Sequence, residues 1–374
     1  LGPKVGVVDL VIDPSNPDRL WAAAYDKVRL PWHFEAGGEG SGIFRTDDGG
    51  ESWTKLGGGL PSGKLGRIGI DAHHADPRIL YAVIENLNER PATEEEAEAD
   101  READNAPEPR PIGNEVYRSA DRGENWRRVS PEHLSIGSKT AYAFNEIRVG
   151  PKDPDRVYVI SESLLSSVDG GATWRDLEWP ATEMFVEMFG DVRSFWIDPR
   201  DPRRMILGSD GGVALSWDGG KTSDWLPGLP LNEVYAVAVD QATPYHVYAA
   251  LQDHEVWRGP VNSWSGAVGL EDWVVVGRWD GMYTQVSPDG RWAYTTTQFG
   301  NHLRADLELG RWAEIEPQAP EGEPEYRWTW TTPIQLSPHD PDVLWTGAQK
   351  LLRSSDRGET WDERSPALTT NDPV

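Results

Sequence analysis

The chain has 374 residues, with 62 acidic against 36 basic side chains and a formal charge of −26. A surface this acidic repels phosphate backbones and anionic lipid headgroups, so neither nucleic acid nor a membrane surface is an expected partner. The absence of cysteine excludes disulfides, thiolate metal sites and cysteine nucleophiles. No apolar run reaches membrane-spanning length. The 19 Trp, 38 Gly and 29 Pro favour many short strands and tight turns over long helices.

One unit repeats along the chain. Its first half is an apolar strand, a polar turn usually built on proline, and a second apolar strand. Its second half is a third strand, a turn of pattern S/T-x-D-x-G-x-S/T-W, and a fourth strand. The first copy reads "LVIDPSNPDRLWAAAY" at 10–25, then a long loop with Arg29, Trp32 and His33, then "FRTDDGGESWTKL" at 44–56. The second reads "IGIDAHHADPRILYAVIE" at 68–85 and "YRSADRGENWRRV" at 117–129. Between its halves lies an acidic insertion, 86–112, whose low hydrophobicity predicts a mobile, solvated segment.

The third copy reads "IRVGPKDPDRVYVISE" at 147–162 and "LSSVDGGATWRDL" at 165–177. A following stretch carries Trp179, Met184, Phe185 and Met188, suited to plugging a channel or forming an apolar lip. The fourth reads "FWIDPRDPRRMILGSD" at 195–210 and "LSWDGGKTSDW" at 215–225, with Ser223 in place of the tryptophan. The fifth and sixth open with "VAVDQATPYHVYAALQD" at 237–253 and "TQVSPDGRWAYTTTQ" at 284–298, and their second halves are degenerate. The seventh reads "IQLSPHDPDVLWTGAQ" at 334–349 and "LRSSDRGETWDER" at 352–364.

Each copy predicts a four-stranded antiparallel meander, and units of roughly 40–50 residues that stack radially predict an all-β fold, a β-propeller. The expected organisation is a single propeller over 1–374, of about seven blades. They fall near 5–58, 66–130, 145–178, 193–228, 234–277, 282–316 and 331–366.

The repeated aspartates are Asp48, Asp121, Asp169, Asp218 and Asp356. A short carboxylate in a hairpin turn accepts hydrogen bonds from its own backbone, so these read as hairpin staples. Five copies spread around a ring cannot converge on one chemical centre. Ligands are expected at the opposite end, on the 2–3 loops and 4–1 connections.

These turns resemble the Asp-box, or BNR repeat, of sialidases, xyloglucan-degrading enzymes and sortilin-type receptors. Stretches such as "GSGIFRTDDGGESWTKL", "VYAALQDHEVWRGP" and "LSPHDPDVLWTGAQKLLRSSDRGETWDERSPALTTND" make the whole chain similar to bacterial Asp-box proteins described as sortilin-like or glycosyl-hydrolase-like. Members of that group carry further blades on both sides, so the resemblance implies an interior segment and further blades or subunits as partners. Where the group tends to have Asp-Asn-Gly in the fifth copy, this chain has Asp253-His254-Glu255.

The candidate catalytic residues are Asp210, Asp253 and Asp280, acids from neighbouring copies on the loop end; a glycosidase needs two carboxyl groups facing the scissile bond. Candidate ligand-binding residues are Trp32, His33, Arg193, His254, Arg278, Tyr326, Arg327 and Trp328. Flat aromatic faces beside charged and amide groups suit a sugar ring and equally suit a peptide. No motif calls for a metal or cofactor; Ca²⁺ is the one ion the loop carboxylates suit. The first functional expectation is a secreted or periplasmic propeller binding a peptide, protein or carbohydrate on its loop face. The alternative is a glycoside hydrolase with paired carboxylates.

Overall fold

A computed structural model of the chain describes residues 2–30, 33–102, 106, 108–132, 134–175, 190–226 and 232–370. Among these residues the strands form seven successive antiparallel sheets of propeller-blade type, and the chain is all-β, of the β-propeller class. The repeat predicts one domain, whereas the chain divides into two compact units, Leu1–Leu229 with four of the sheets and Pro230–Val374 with three. No helix among the described residues is long and apolar enough to cross a membrane.

In the first unit the second strands run Leu20–Asp26, Leu80–Arg90, Val157–Ile160 and Met205–Ser209. Each pairs on one side with the first strand of its sheet and on the other with the third. The third sheet has three strands, with a single bridge from Ser166 to Arg175 where a fourth would lie. In the second unit the second strands are His246–Leu251, Trp292–Thr296 and Leu344–Gly347, each again the inner partner of a four-stranded meander.

Blades pack face to face, which leaves a second strand no solvent side. In Leu80–Arg90, Leu80, Ala82 and Ile84 pack with Trp21, Ile43 and Ile68 toward the first blade. The alternate Tyr81 and Val83 pack with Ile147, Val157 and Val159 toward the third. This two-sided burial is why the second strands read as unbroken apolar runs rather than alternating ones. Trp21, Tyr81 and Tyr158 take the second position of their strands, Tyr248 and Tyr294 the third, and all five are almost fully buried. Each such side chain stabilises its interface by roughly 2 kcal/mol. Trp21 also donates through Nε1 to the carbonyl of Arg122, inside the neighbouring Asp-containing turn (3.1 Å). Inner strand edges are capped across blades: Asp9 accepts the Ile70 N–H (3.0 Å) and Asp71 the Val149 N–H (2.8 Å).

The five repeated turns share one hydrogen-bond pattern. Asp121 accepts the Ser119 hydroxyl (2.8 Å), the Asn125 N–H (2.9 Å) and the Asn125 amide (2.8 Å). Ser119 Oγ accepts the Gly123 N–H (2.9 Å). Asp48, Asp169, Asp218 and Asp356 repeat the pattern with a Ser or Thr as the distal donor. Two consecutive left-handed residues close each turn, Arg122 (φ 64°) and Gly123 (φ 86°) in the second blade. Donors aimed at the charged form hold the carboxyls low: the Thr173 hydroxyl first, then its N–H, bring Asp169 down to about 2.

The acidic insertion carries local structure of its own. The hairpin of the second blade extends through it, with Arg90 opposite Arg110, and an α-helix spans Glu94–Glu102. Thr93 caps the helix by accepting the Glu96 N–H, and Glu96 returns a bond to the Thr93 N–H while pairing with Arg90. Local caps and ion pairs replace the apolar core that composition shows to be missing.

Asp121→Ala is expected to lower stability by about 1–2 kcal/mol, through the bonds lost from Ser119 and Asn125, with the fold retained. A urea titration followed by tryptophan fluorescence measures it. In the second unit, burial pushes the His302 pKa down to about 4, the bond to the Gly300 carbonyl opposing. A depressed histidine stabilises above its unfolded pKa near 6.5, and that contribution, on the order of 3 kcal/mol, is lost as pH falls through 4. His302→Gln therefore flattens the fall in stability between pH 6.5 and 4 relative to the parent chain.

Candidate functional site

The loop end of the second unit concentrates exposed aromatic rings and unusual backbone. Asp253 (φ 59°) and Glu255 (φ 60°) lie in the 2–3 loop of the fifth blade. Trp279 (φ 49°) lies in the connection from the fifth to the sixth blade, and Phe299 (φ 54°) in the 2–3 loop of the sixth. Left-handed backbone at side chains of this bulk costs about 1–2 kcal/mol each and persists only where the surroundings impose it.

The surroundings here are hydrogen bonds between loops. The Asp253 N–H donates to Asp280 Oδ1 (2.7 Å), and the Glu255 N–H donates to the Trp279 carbonyl (2.9 Å). The Phe299 N–H reaches the Trp330 carbonyl (3.3 Å), and their rings meet edge to face, centroids 5.2 Å apart. The result is a rim on which Trp279 is 55% exposed, Phe299 56% and Trp330 44%. Tyr235 donates from its hydroxyl to Gln252 beside Asp253 (2.9 Å).

The last connection, before the seventh blade, builds a recess next to this rim. It measures about 270 Å³ and is lined by Arg327, Trp328, Thr329, Gln349, Thr369 and Thr370 together with Gly347 and Ala348. Gln349 accepts the Arg327 N–H (2.8 Å), and the Arg327 guanidinium donates to Thr369 (2.6 Å). Tyr326 donates to Glu363 (3.0 Å), which also pairs with Lys350. Desolvation, with the Glu363 charge behind it, pushes the Tyr326 phenol up to about 12. Gly300 (φ 87°) permits the Trp328 ring to sit against the backbone, since a Cβ there would lie 2.3 Å from it.

The candidates take different parts. Asp253 and Asp280 are brought together, but Asp280 is only 5% exposed and acts as an acceptor for the Asp253 backbone. That is the place of a positioning group, where the sequence suggests an exposed rim carboxylate. His254 faces the Gln252 carbonyl through Nδ1 (3.2 Å), and its own carbonyl accepts Trp257 Nε1. Arg278 pairs with Glu314 (3.7 Å) and lies over the Trp312 ring.

Asp210 and Arg193 belong to the first unit, joined by a bidentate pair (2.7 and 2.6 Å), with Arg193 over Phe144. His33 is exposed on a short hairpin, Val28–Leu30 with His33–Glu35, in place of the expected open loop. Trp32, and the stretch with Trp179, Met184, Phe185 and Met188, lie outside the described residues.

Sequence reasoning missed two groups. Trp279, Phe299 and Trp330 adjoin named candidates and were hidden among 19 tryptophans and degenerate repeats. Asp26 ends the second strand of the first blade and Glu162 lies just past that of the third, the position that Asp210 and Asp253 take later, while Glu85 lies inside the long second strand of the second blade. Asp26 accepts the Gly40 N–H (3.1 Å) and Glu85 the Arg67 N–H (3.1 Å). Burial pushes Glu85 up, whereas at Glu162 the Ser138 and Thr140 hydroxyls overcome burial and hold the acid low. Aligning the repeats on their strand ends exposes this register.

No protein-family model matches the chain. The xyloglucanase Xgh74A of Acetivibrio thermocellus is 22% identical over 397 residues, covering 96% of this chain and 41% of that protein. A xyloglucanase of Paenibacillus is also 22% identical, over 96% of this chain and 34% of its own length. The chain thus spans less than half the length of the curated relatives it matches. Among solved structures, the GH74 xyloglucanase from Xanthomonas campestris aligns with a TM-score of 0.40 and 17% identity, covering 96% of this chain and 45% of that one. YCF48 bound to D1 peptide aligns with a TM-score of 0.37 and 13% identity, covering 94% and 93%.

The four left-handed residues yield a direct expectation. The Glu255 backbone serves the loop through its N–H and carbonyl, so Glu255→Gly keeps both bonds and releases strain. The second unit is expected to gain about 1 kcal/mol in chemical denaturation, and no gain means the loop imposes no strain at this position.

Proposed function

We propose that this chain is a carbohydrate-binding propeller segment that takes a polysaccharide on the loop end of its second unit. The observation that carries the reading is the rim of Trp279, Phe299 and Trp330 beside Asp253, with Asp253, Trp279 and Phe299 on left-handed backbone. Exposed rings fixed before binding offer flat apolar faces at little entropic cost, and adjoining amides and carboxylates suit hydroxyl groups. The similarity to xyloglucanases over 96% of the chain favours a glycan over a peptide, and a branched β-glucan as the first to test. A polysaccharide does not cross a membrane unaided, so a chain that binds one is placed as secreted or periplasmic.

Affinity electrophoresis in gels containing xyloglucan tests this. The parent chain is expected to be retarded, and Trp330→Ala with Phe299→Ala to restore most of its free mobility, a loss of about tenfold or more in affinity. Equal retardation of parent and double variant sinks the assignment, as does retardation by a proline-rich or acidic peptide matrix alone.

Glycoside hydrolysis is the second reading, favoured by the same xyloglucanase similarity and by Asp253 at the rim. Hydrolysis needs a proton donor and a second carboxylate across the scissile bond. Asp253 is the acid best placed at the rim, with Asp280 fixing its loop. Reducing-end release from xyloglucan that falls at least 100-fold in Asp253→Asn, with binding retained, is the expected signature of an enzyme. Equal release by both proteins removes Asp253 from the chemistry.

A further inference from the structure

The first unit carries a recess at the other end of its blades, where the first strands of the second, third and fourth sheets run into their 1–2 turns. It measures about 230 Å³, and Asp71, His74, Arg148 and Trp196 line it together with Pro151 and Pro199. Asp71, Arg148 and Trp196 hold one position of the repeat in three consecutive blades. Each lies two residues before the residue whose N–H closes the 1–2 turn, namely His73, Gly150 and Asp198. The first blade has Val11 at this position. The repeat therefore diverges here into an acceptor, a donor and a flat ring, side by side.

The polar groups are fixed in place. Asp71 Oδ2 accepts the Val149 N–H (2.8 Å) and Oδ1 the Ala72 N–H (2.9 Å), which leaves each carboxylate oxygen a further lone pair. Arg148 donates to the Ile147 carbonyl (2.8 Å) and to Glu146 (2.8 Å), two of its five N–H groups. Trp196 is 44% exposed, and the Arg204 guanidinium lies 5.8 Å from its ring centroid. Desolvation by burial pushes the Asp71 acid up to about 6, the mark of a carboxyl group poorly served by water.

The charge pattern selects the ligand. An anion meets Asp71 and the field of a −26 chain, and a cation meets Arg148. A neutral group with adjacent donors and acceptors satisfies both side chains. We propose that this recess is a second ligand site taking a neutral sugar ring, with one ring face against Trp196 and neighbouring hydroxyls divided between Asp71 and Arg148. It is separate from the aromatic rim of the second unit and does not depend on that reading.

Saturation-transfer NMR with the intact chain tests the assignment. The probes are D-glucose, D-xylose and D-galactose, with D-glucuronate and D-glucosamine as charged counterparts. At least one neutral sugar is expected to give a saturable signal, weakened about tenfold in Trp196→Ala and in Asp71→Asn, and unchanged in Trp330→Ala. The Trp196 side chain is half exposed, so Trp196→Ala carries the test where Asp71→Asn fails to fold. Four results overturn the proposal: no saturable signal from any neutral sugar, a signal indifferent to Trp196→Ala, a signal lost in Trp330→Ala, or preference for a charged counterpart. The first three leave polysaccharide retention at the rim, measured separately, free to stand or fall alone.

Discussion

The structure depends on one constraint: a second strand pressed between two neighbouring sheets has no face toward water. Leu80–Arg90 meets it with Leu80, Ala82 and Ile84 on one side and Tyr81 and Val83 on the other. A strand buried on both faces cannot carry charge along its length, because an unpaired buried charge costs several kcal/mol. Polar chemistry is expelled to the strand ends. Asp26, Glu162, Asp210 and Asp253 stand at or just beyond the last residues of second strands, and Glu85, inside Leu80–Arg90, is met by the Arg67 N–H. The same constraint explains the buried aromatic side chain near the start of these strands, where Trp21 spans the interface and finds a hydrogen-bond acceptor in the neighbouring turn.

Packing also divides the labour of the carboxylates. Those of the repeated turns, such as Asp121, are held by three donors of their own hairpin. Asp9 and Asp71 cap the open N–H groups of the next blade's first strand, so part of the inter-blade adhesion is polar. Asp280 is spent on the backbone of Asp253. One acid thus holds another in a conformation that it would otherwise leave, and strain appears where exposed rings gather.

Much of the fold was legible in the sequence because the constraint repeats. The alternation of apolar strand, proline turn and aspartate turn recurs often enough to define the meander without any distance information, and the turn chemistry of Ser119, Asp121, Gly123 and Asn125 is local. The helix of the acidic insertion was not legible for the opposite reason. It rests on a cap at Thr93 and the Arg90–Glu96 pair, which composition does not register. The candidate site was legible only in part. Tyr326, Arg327 and Trp328 stood out as an aromatic and basic cluster, but nothing in a list of tryptophans marks Trp279, Phe299 and Trp330 as sharing one rim.

The sequence by itself determined the all-β class, the blade unit and the structural part of its repeated aspartates, since each rests on contacts between residues a few positions apart. Tertiary structure alone decided that Asp280 is a positioning group and that the rings of Phe299 and Trp330, from different loops, meet edge to face. It likewise decided that Asp71, Arg148 and Trp196 line one recess. These are relations between loops of different blades. They are set by how sheets stack, and stacking distances leave no trace in local spacing.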